Sequence, residues 1–319
     1  MQTYDIRETG PAPIISRLCR QLKVRETIND VVPWDEKQCL LDPGTHVEAL
    51  IINILCRRDP LYRVKDFYLE QDVELLFGKG VKADHFNDDA LGNTLDKIYA
   101  AGPKKVFSTM VLKAQLIEEI TRRLLHGDTT ARLMYGAYEQ EEGLNVTQGY
   151  NKERRKDLKQ FKIGLVVTDE GFPVIGEVLD GNLDDKTWNK QLLRNLPEHF
   201  NLEEFEKIVY VSDSALVTED NLRAMGDRLK FISRLPETFN LALELTRAAF
   251  IRDRWEQIGK LSSGGKSATY KIQEFKRELY GRSYRFLVVH SDHLDKRKLK
   301  GLDSRLKKQK AELEKKPQN

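Results

Sequence analysis

The stretch that most constrains the fold is residues 124–138, LLHGDTTARLMYGAY, an apolar, strand-like run that follows a long helical pattern. Asp128 interrupts this run. A carboxylate in the middle of a first core strand is costly to desolvate unless a cation meets it. The sequence therefore predicts a cation beside Asp128, and a metal ion is one candidate.

A second acidic residue follows another apolar strand, KIVYVSDSAL at 207–216, which ends abruptly at Asp213. Between the two strands the sequence predicts an antiparallel hairpin at 161–168 and 172–179, and then a helix. This order of elements is that of a ribonuclease H-like core, in which the first and fourth strands are neighbours. We therefore expect Asp128 and Asp213 to lie close enough to share a divalent ion.

Residues 11–105 show helical periodicity, which predicts an all-α domain ahead of the sheet. The THVE segment that begins at Thr45 matches a capping box, in which Glu48 returns a hydrogen bond to the Thr45 amide. Asn87 or Asp88 is predicted to cap a later helix. This domain could hold DNA or a partner, or serve only for packing, and no recognition helix decides between these.

The polar segment 139–159 is predicted to be a loop, and it is rich in basic side chains just before the second strand. We therefore expect it near the mouth of the metal site, where it would position phosphates. A run of charges is also typical of a plain solvated surface. The candidate DNA-binding residues in this loop are Lys152, Arg154, Arg155 and Lys159.

The C-terminal part is predicted to hold a helix over 240–258, a hairpin at 270–278 and 284–289, and a charged helix from 294 onwards. The SSGGKS segment is not a phosphate loop, because Lys260 stands where that motif needs glycine. His290 and His293 would be metal ligands only if further ligands joined them.

Composition excludes several classes of protein. There is no run of the about 18 apolar residues that a membrane-spanning helix needs, and no signal peptide, so we expect a cytoplasmic chain with no membrane partner. The three cysteines form no C-x-x-C pair, which predicts reduced, buried thiols. The net charge of +3 says little about nucleic acid. The predicted domains are a helical domain at 1–104, the ribonuclease H-like core at 105–238, and a β-containing region with a basic helical tail at 239–319.

Five ordered blocks carry a resemblance to a known family. They are HGDTT at 126–130, GYNKERRKDLKQ at 149–160, DGNLDDK at 180–186, VSDSALVTEDNL at 211–222 and FISRLP at 231–236. Together they resemble the DDE transposases of bacterial insertion sequences, in the branch with a helical N-terminal domain of unassigned role. Residues 11–102 look like that domain. The chain departs from the family at 153–157, ERRKD, where members often have HRPD.

The resemblance implies a core that binds two Mg²⁺ (or Mn²⁺) through Asp, Asp and Glu, nicks the element's ends and joins the 3′-hydroxyl to target DNA. Asp128 takes the first acidic position and Asp213 the second, DNA is the implied partner, and we expect a homodimer. No residue of this chain takes the third position, since Glu312 and Glu314 lie in a basic tail. The resemblance therefore implies a C-terminally truncated copy, in which residues 239–319 hold only part of the family's β-rich insertion.

Three functions remain open at this point. The chain could be a transposase-derived protein whose full-length ancestor performed metal-assisted phosphoryl transfer. It could be a non-catalytic DNA-binding or regulatory remnant. It could also be an unrelated ribonuclease H-like nuclease.

Overall fold

The computed structural model describes residues 7, 9–139, 143–226, 229–261, 267–293, 301 and 303–306. The chain divides into two compact units, the first formed by 1–216 with 223–232 and the second by 217–222 with 233–319. The fold is mixed α/β. The division at residues 104 and 238 stays a prediction.

Helices make up the N-terminal part of the first unit. Their shared core is rich in aromatic side chains, with Tyr68 and Phe86 stacked 4.6 Å apart between ring centroids. The helices are α1 (Ala12–Gln21), α2 (Val24–Val31), α3 (Pro43–Cys56), α4 (Val64–Leu69), α5 (Val73–Phe77), α6 (Asp88–Ala101) and α7 (Pro103–Glu118).

The start of α3 differs from the predicted capping box. Asp42 is the N-cap, and its carboxylate accepts hydrogen bonds from the Thr45 amide at 2.8 Å and the Thr45 hydroxyl at 2.7 Å. Glu48 instead points into the core and binds Arg25. The capping-box prediction was wrong because Pro43 favours the first helical position, which makes Asp42 the cap, three residues before Thr45, and leaves Glu48 free to pair with Arg25.

The predicted cap of α6 is confirmed, since the Asn87 side chain accepts from the Ala90 amide at 2.9 Å. The helix ends at Gly102, whose φ of 90° suits glycine, and α7 follows at once. Helix α7 ends at Glu118, where Glu119 adopts a left-handed conformation with φ of 49°.

The five-stranded sheet of the first unit has the order β3-β2-β1-β4-β5. Strand β1 runs antiparallel to β2 and parallel to β4, so the expected neighbourhood of the first and fourth strands is confirmed. The strands are β1 (Leu124–Met134), β2 (Lys159–Thr168), β3 (Pro173–Leu179), β4 (Val209–Ser212) and β5 (Lys230–Ser233). The helices along this part of the chain are α8 (Asp185–Asn195), α9 (Leu202–Lys207) and α10 (Glu219–Met225).

The second unit contains α11 (Asn240–Arg252) and a three-stranded antiparallel sheet, β6 (Glu256–Lys260), β7 (Thr269–Leu279) and β8 (Arg282–Ser291). The predicted hairpin is confirmed as β7 and β8. The helix predicted over 240–258 ends at Arg252, because Asp253 turns left-handed with φ of 45°, and the chain continues as β6. Most of the tail predicted to be helical lies outside the described residues.

Two glycines allow large side chains to lie against the covered face of the central sheet. A Cβ on Gly164 would lie 2.6 Å from the indole of Trp188, and one on Gly127 would lie 2.0 Å from the hydroxyl oxygen of Tyr210. Trp188 is 1% exposed and Tyr210 is fully buried, so neither ring has room to withdraw. The absence of a side chain at these positions is therefore a packing requirement.

We expect Gly127→Ala to lower the free energy of unfolding by about 1–3 kcal/mol, as overpacking of a closed core does. Gly92→Ala is the matched control, because Gly92 lies within α6 and a Cβ there meets nothing within 4 Å. That control should stabilise the chain by about 0.5–1 kcal/mol. Urea unfolding followed by circular dichroism measures both, and equal stability of Gly127→Ala and the unchanged chain would refute the packing requirement.

Candidate functional site

Asp128 lies in the middle of β1 with its side chain exposed. Alternation along the strand puts His126, Asp128 and Thr130 on one face and the buried Gly127 and Thr129 on the other. The carboxylate accepts a hydrogen bond from the Thr129 amide at 2.8 Å. The expectation of a desolvated core carboxylate was therefore wrong, because this face of β1 is open to solvent.

Asp213 follows β4 directly and is also exposed. Its carboxylate accepts from the Ala215 amide at 2.9 Å, which orients it at the end of the strand. The parallel pairing joins His126 to Val211, so the same register two residues further brings Asp128 level with Asp213. Neighbouring strands lie about 4.8 Å apart.

Both aspartates line one open cleft of about 430 Å³. Its floor is the exposed face of β2, β1 and β4, where carboxylates stand beside aliphatic side chains. His126, two residues before Asp128, faces the same cleft, and the alternation of β1 was the sequence pattern that pointed to it. The lining residues are His126, Gly127, Asp128, Thr130, Leu165, Val167, Val211, Ser212 and Asp213.

Tyr210 lies beneath the two carboxylates on the covered face. Burial raises its pKa well above the usual range of a phenol, and the negative charges of Asp213 and Asp128 raise it further. The hydroxyl therefore stays protonated and donates to the Asn189 side-chain oxygen at 3.1 Å. The covered face at Tyr210 therefore presents a neutral hydroxyl, while the open face carries the two acids.

Within the described ranges, no group of three or more His, Cys, Asp or Glu side chains is placed to hold a metal ion. Glu312 and Glu314 lie outside those ranges. His290 is in an aromatic environment, with ring centroids 5.6 Å from Trp255 and 5.9 Å from Phe250. The candidate site therefore consists of two acids and a neighbouring histidine.

The basic loop is organised by Asn151, which is 4% exposed. Its side-chain oxygen accepts from the Arg155 amide at 2.8 Å, and its amide nitrogen donates to the Arg155 carbonyl at 3.1 Å. No sequence pattern pointed to this role, because an asparagine in a polar loop is usually solvated. One buried amide therefore holds the turn from Asn151 to Arg155.

Two of the four predicted DNA-binding side chains are engaged within the chain. Arg155 binds Asp157 through two hydrogen bonds of 2.9 and 2.7 Å, and this contact lowers the pKa of Asp157 to about 2. Lys159 donates to the carbonyls of Ala137 and Tyr138. Lys152 and Arg154 are exposed.

The loop does not stand at the mouth of the cleft. Lys159, where the loop joins β2, pairs with Met134, whereas Leu165 pairs with Asp128. Six residues of strand separate these positions, which corresponds to about 20 Å. The expectation of a basic mouth was wrong because the strands are long and the loop enters at their far end.

The loop is fastened to the end of β3 by close backbone contacts. A Cβ on Gly181 would lie 2.0 Å from the Gln160 carbonyl oxygen, and one on Gly149 would lie 2.4 Å from the Gly181 carbonyl oxygen. The Gln160 side chain, fully buried, donates to Gly181 at 2.7 Å and to Tyr150 at 3.1 Å. Two of the sequence blocks, at 149–160 and 180–186, thus pack against one another.

Residues 4–112 match the family model described as "Domain of unknown function (DUF4277)". The match covers about a third of the chain, within the N-terminal helices. No curated protein matches the chain. In the described part of the chain, no helix combines the length and the apolar character that crossing a membrane would take.

Several solved structures of a transposase show a faint likeness. The "Mos1 transposase paired-end complex with left transposon end" is 10% identical over 76% of this chain and 85% of that chain, with a TM-score of 0.25. The "Crystal structure of the Mos1 mariner paired end complex with Mn" is 13% identical over the same shares, again with a TM-score of 0.25. A TM-score this low carries no conclusion about fold or function.

Proposed function

We propose that the chain is a transposase-type protein whose ribonuclease H-like core acts on DNA phosphodiesters through a divalent cation held by Asp128 and Asp213. One observation supports this most directly. Asp128 on β1 and Asp213, directly after the neighbouring parallel strand β4, are both exposed and line one cleft. The five sequence blocks, two of which contain these acids, support the same proposal.

The donor set fits a hard cation. Asp128 and Asp213 offer carboxylate oxygens, which Mg²⁺ and Mn²⁺ prefer, and both are exposed enough to leave room for water and phosphate oxygens. When bound, such an ion stabilises negative charge on the phosphoryl oxygens. Without such an ion, the two negative charges that line the cleft repel one another.

The chain's own residues prepare the site. The amides of Thr129 and Ala215 each hold one carboxylate oxygen, which fixes the direction of the free oxygens. Leu165, Val167 and Val211 form an apolar wall beside the acids.

We expect Asp128→Asn and Asp213→Asn each to weaken Mn²⁺ affinity at least about tenfold, since even residues that only support a metal ligand are worth 10–100-fold. Asp169→Asn is the control, because Asp169 is an exposed acid in the β2–β3 turn. Isothermal titration with Mn²⁺ gives the affinities, and circular dichroism checks the fold. If Asp128→Asn and Asp213→Asn both bind Mn²⁺ as tightly as the unchanged chain, the two aspartates do not form a metal site.

We also expect the 319-residue chain to show no strand cleavage or joining above background with Mg²⁺ or Mn²⁺. Two-metal phosphoryl transfer needs ions held about 3.5–4 Å apart, and two aspartates hold a second ion poorly. Nicking of a supercoiled plasmid that carries inverted-repeat ends tests this. Robust cleavage that disappears in Asp128→Ala would contradict it and would mean that another residue of the chain supplies the missing ligand.

DNA binding by the basic loop is part of the proposal, and the expected homodimer stays a prediction. Each phosphate contact contributes about 0.9 to the slope of log affinity against log salt. We expect replacing Lys152 and Arg154 with alanine to flatten that slope by up to about 2, because both side chains are exposed. Replacing the exposed Lys79 and Lys113 is the charge-matched control. If the Lys152/Arg154 double variant and the Lys79/Lys113 double variant give the same salt slope, the DNA contacts lie elsewhere on the chain.

A further inference from the structure

Helix α8 packs against the covered face of the sheet, behind the cleft. Asp185 and Asn189 are four residues apart on this helix, so they share one side of it. Both side chains hydrogen-bond to strands, and each reaches a different strand. The helix therefore contacts β1 and β4 through polar groups in addition to its apolar contacts.

Asp185 holds β1. Its carboxylate accepts from the Thr129 hydroxyl at 2.6 Å, and the Lys162 ammonium lies 3.3 Å from the same oxygen. Thr129 and Lys162 are each 8% exposed. A short hydrogen bond from a hydroxyl to an ionised carboxylate is about twice as strong as a neutral one. The position of Thr129 is thus tightly held from behind.

Asn189 holds β4. Its side-chain oxygen accepts from the Tyr210 hydroxyl at 3.1 Å and from the Ser212 hydroxyl at 3.4 Å. Its amide nitrogen donates to the Asp185 carbonyl at 2.8 Å, so the whole amide is oriented. Asn189 is 2% exposed. Leaving its polar atoms without partners there would be costly.

These contacts fall next to the two acids. Thr129 is the residue after Asp128, and its amide donates to the Asp128 carboxylate at 2.8 Å. Ser212 is the residue before Asp213. Since successive side chains of a strand point to opposite faces, a residue held at the back fixes the direction of its neighbour at the front.

The sheet itself does not link the strands at this level. The parallel pairing of β1 with β4 runs from Leu124 and Val209 to His126 and Val211, and stops two residues before the acids. Beyond that point α8 connects the two strands from behind. We infer that Asp185 and Asn189 are positioning residues that set the separation and aim of Asp128 and Asp213. This inference rests on the proposed metal site.

The test compares Mn²⁺ affinity in the full chain, with Mn²⁺ alone as the probe. Thr129→Val and Asn189→Leu each remove one connection at nearly constant volume, and we expect each to weaken binding about tenfold, as supporting residues of metal sites do. Ser212→Ala is a milder variant of the same contact. Because Thr129→Val and Asp185→Asn disturb one shared contact, the double variant should lose less affinity than the product of the single losses.

Asp184→Ala is the matched control. Asp184 caps α8 by accepting from the Thr187 amide at 3.0 Å, so its loss weakens the helix without touching either strand. We expect lower thermal stability and unchanged Mn²⁺ affinity in this variant. If Thr129→Val, Asn189→Leu and Ser212→Ala bind Mn²⁺ as tightly as the unchanged chain, the inference is overturned, even where Asp128→Asn abolishes binding. If the unchanged chain binds no Mn²⁺, the proposed metal site fails and the positioning role falls with it.

Discussion

The parallel pairing of β1 with β4 is the constraint on which the site depends. Two parallel strands cannot be joined by a tight turn, so the chain must leave the sheet and return through a crossover. Here the crossover follows the β2–β3 hairpin and includes α8 and α9. Helix α8 of this crossover covers one face of the sheet, which leaves the opposite face open to solvent.

The helical part depends on a different constraint, the burial of one charge. Glu48 has no exposed side-chain surface and is paired with Arg25, whose side chain is 24% exposed. Ser16 donates to the same carboxylate at 2.8 Å, and Arg25 also donates to the carbonyls of Leu76 and Phe77. Removing one partner of such a buried pair typically costs about 3–5 kcal/mol. Four helices therefore meet at one ion pair.

Much of the sheet was predictable because its determinants are local. The alternation of apolar residues, the turn between β2 and β3 and the cap of α6 depend on neighbours in sequence. What failed depended on distant partners. Glu48 fits a capping box locally, but in the fold it pairs with Arg25 on another helix. Strand β6, EQIGK, has too few apolar residues to show a pattern, and it forms because β7 lies beside it.

In the candidate site, too, some features were predictable from the sequence and others depended on the three-dimensional arrangement. The proximity of Asp128 and Asp213 followed from the order of elements, since parallel neighbours bring their ends together. Their exposure did not, because an apolar strand with one acid looks alike whether one face or both are covered. The distance of the basic loop was missed for a related reason. Sequence gives the order of Lys159 and the acids along the chain, but only the register reveals the about 20 Å of strand between them.

The two faces of β1 need different kinds of side chain, and the HGDTT block at 126–130 supplies both. On the covered face, Gly127 must be small so that Tyr210 can approach, and Thr129 must be polar so that Asp185 has a donor. On the open face, His126 and Asp128 line the cleft. Because covered and open side chains alternate along β1, a substitution on the covered face is only one peptide unit away from a side chain that lines the cleft. The residues that orient Asp128 and Asp213 are therefore their neighbours on the strands and the α8 side chains behind the sheet. A search restricted to cleft-lining side chains would miss Thr129, Asp185 and Asn189.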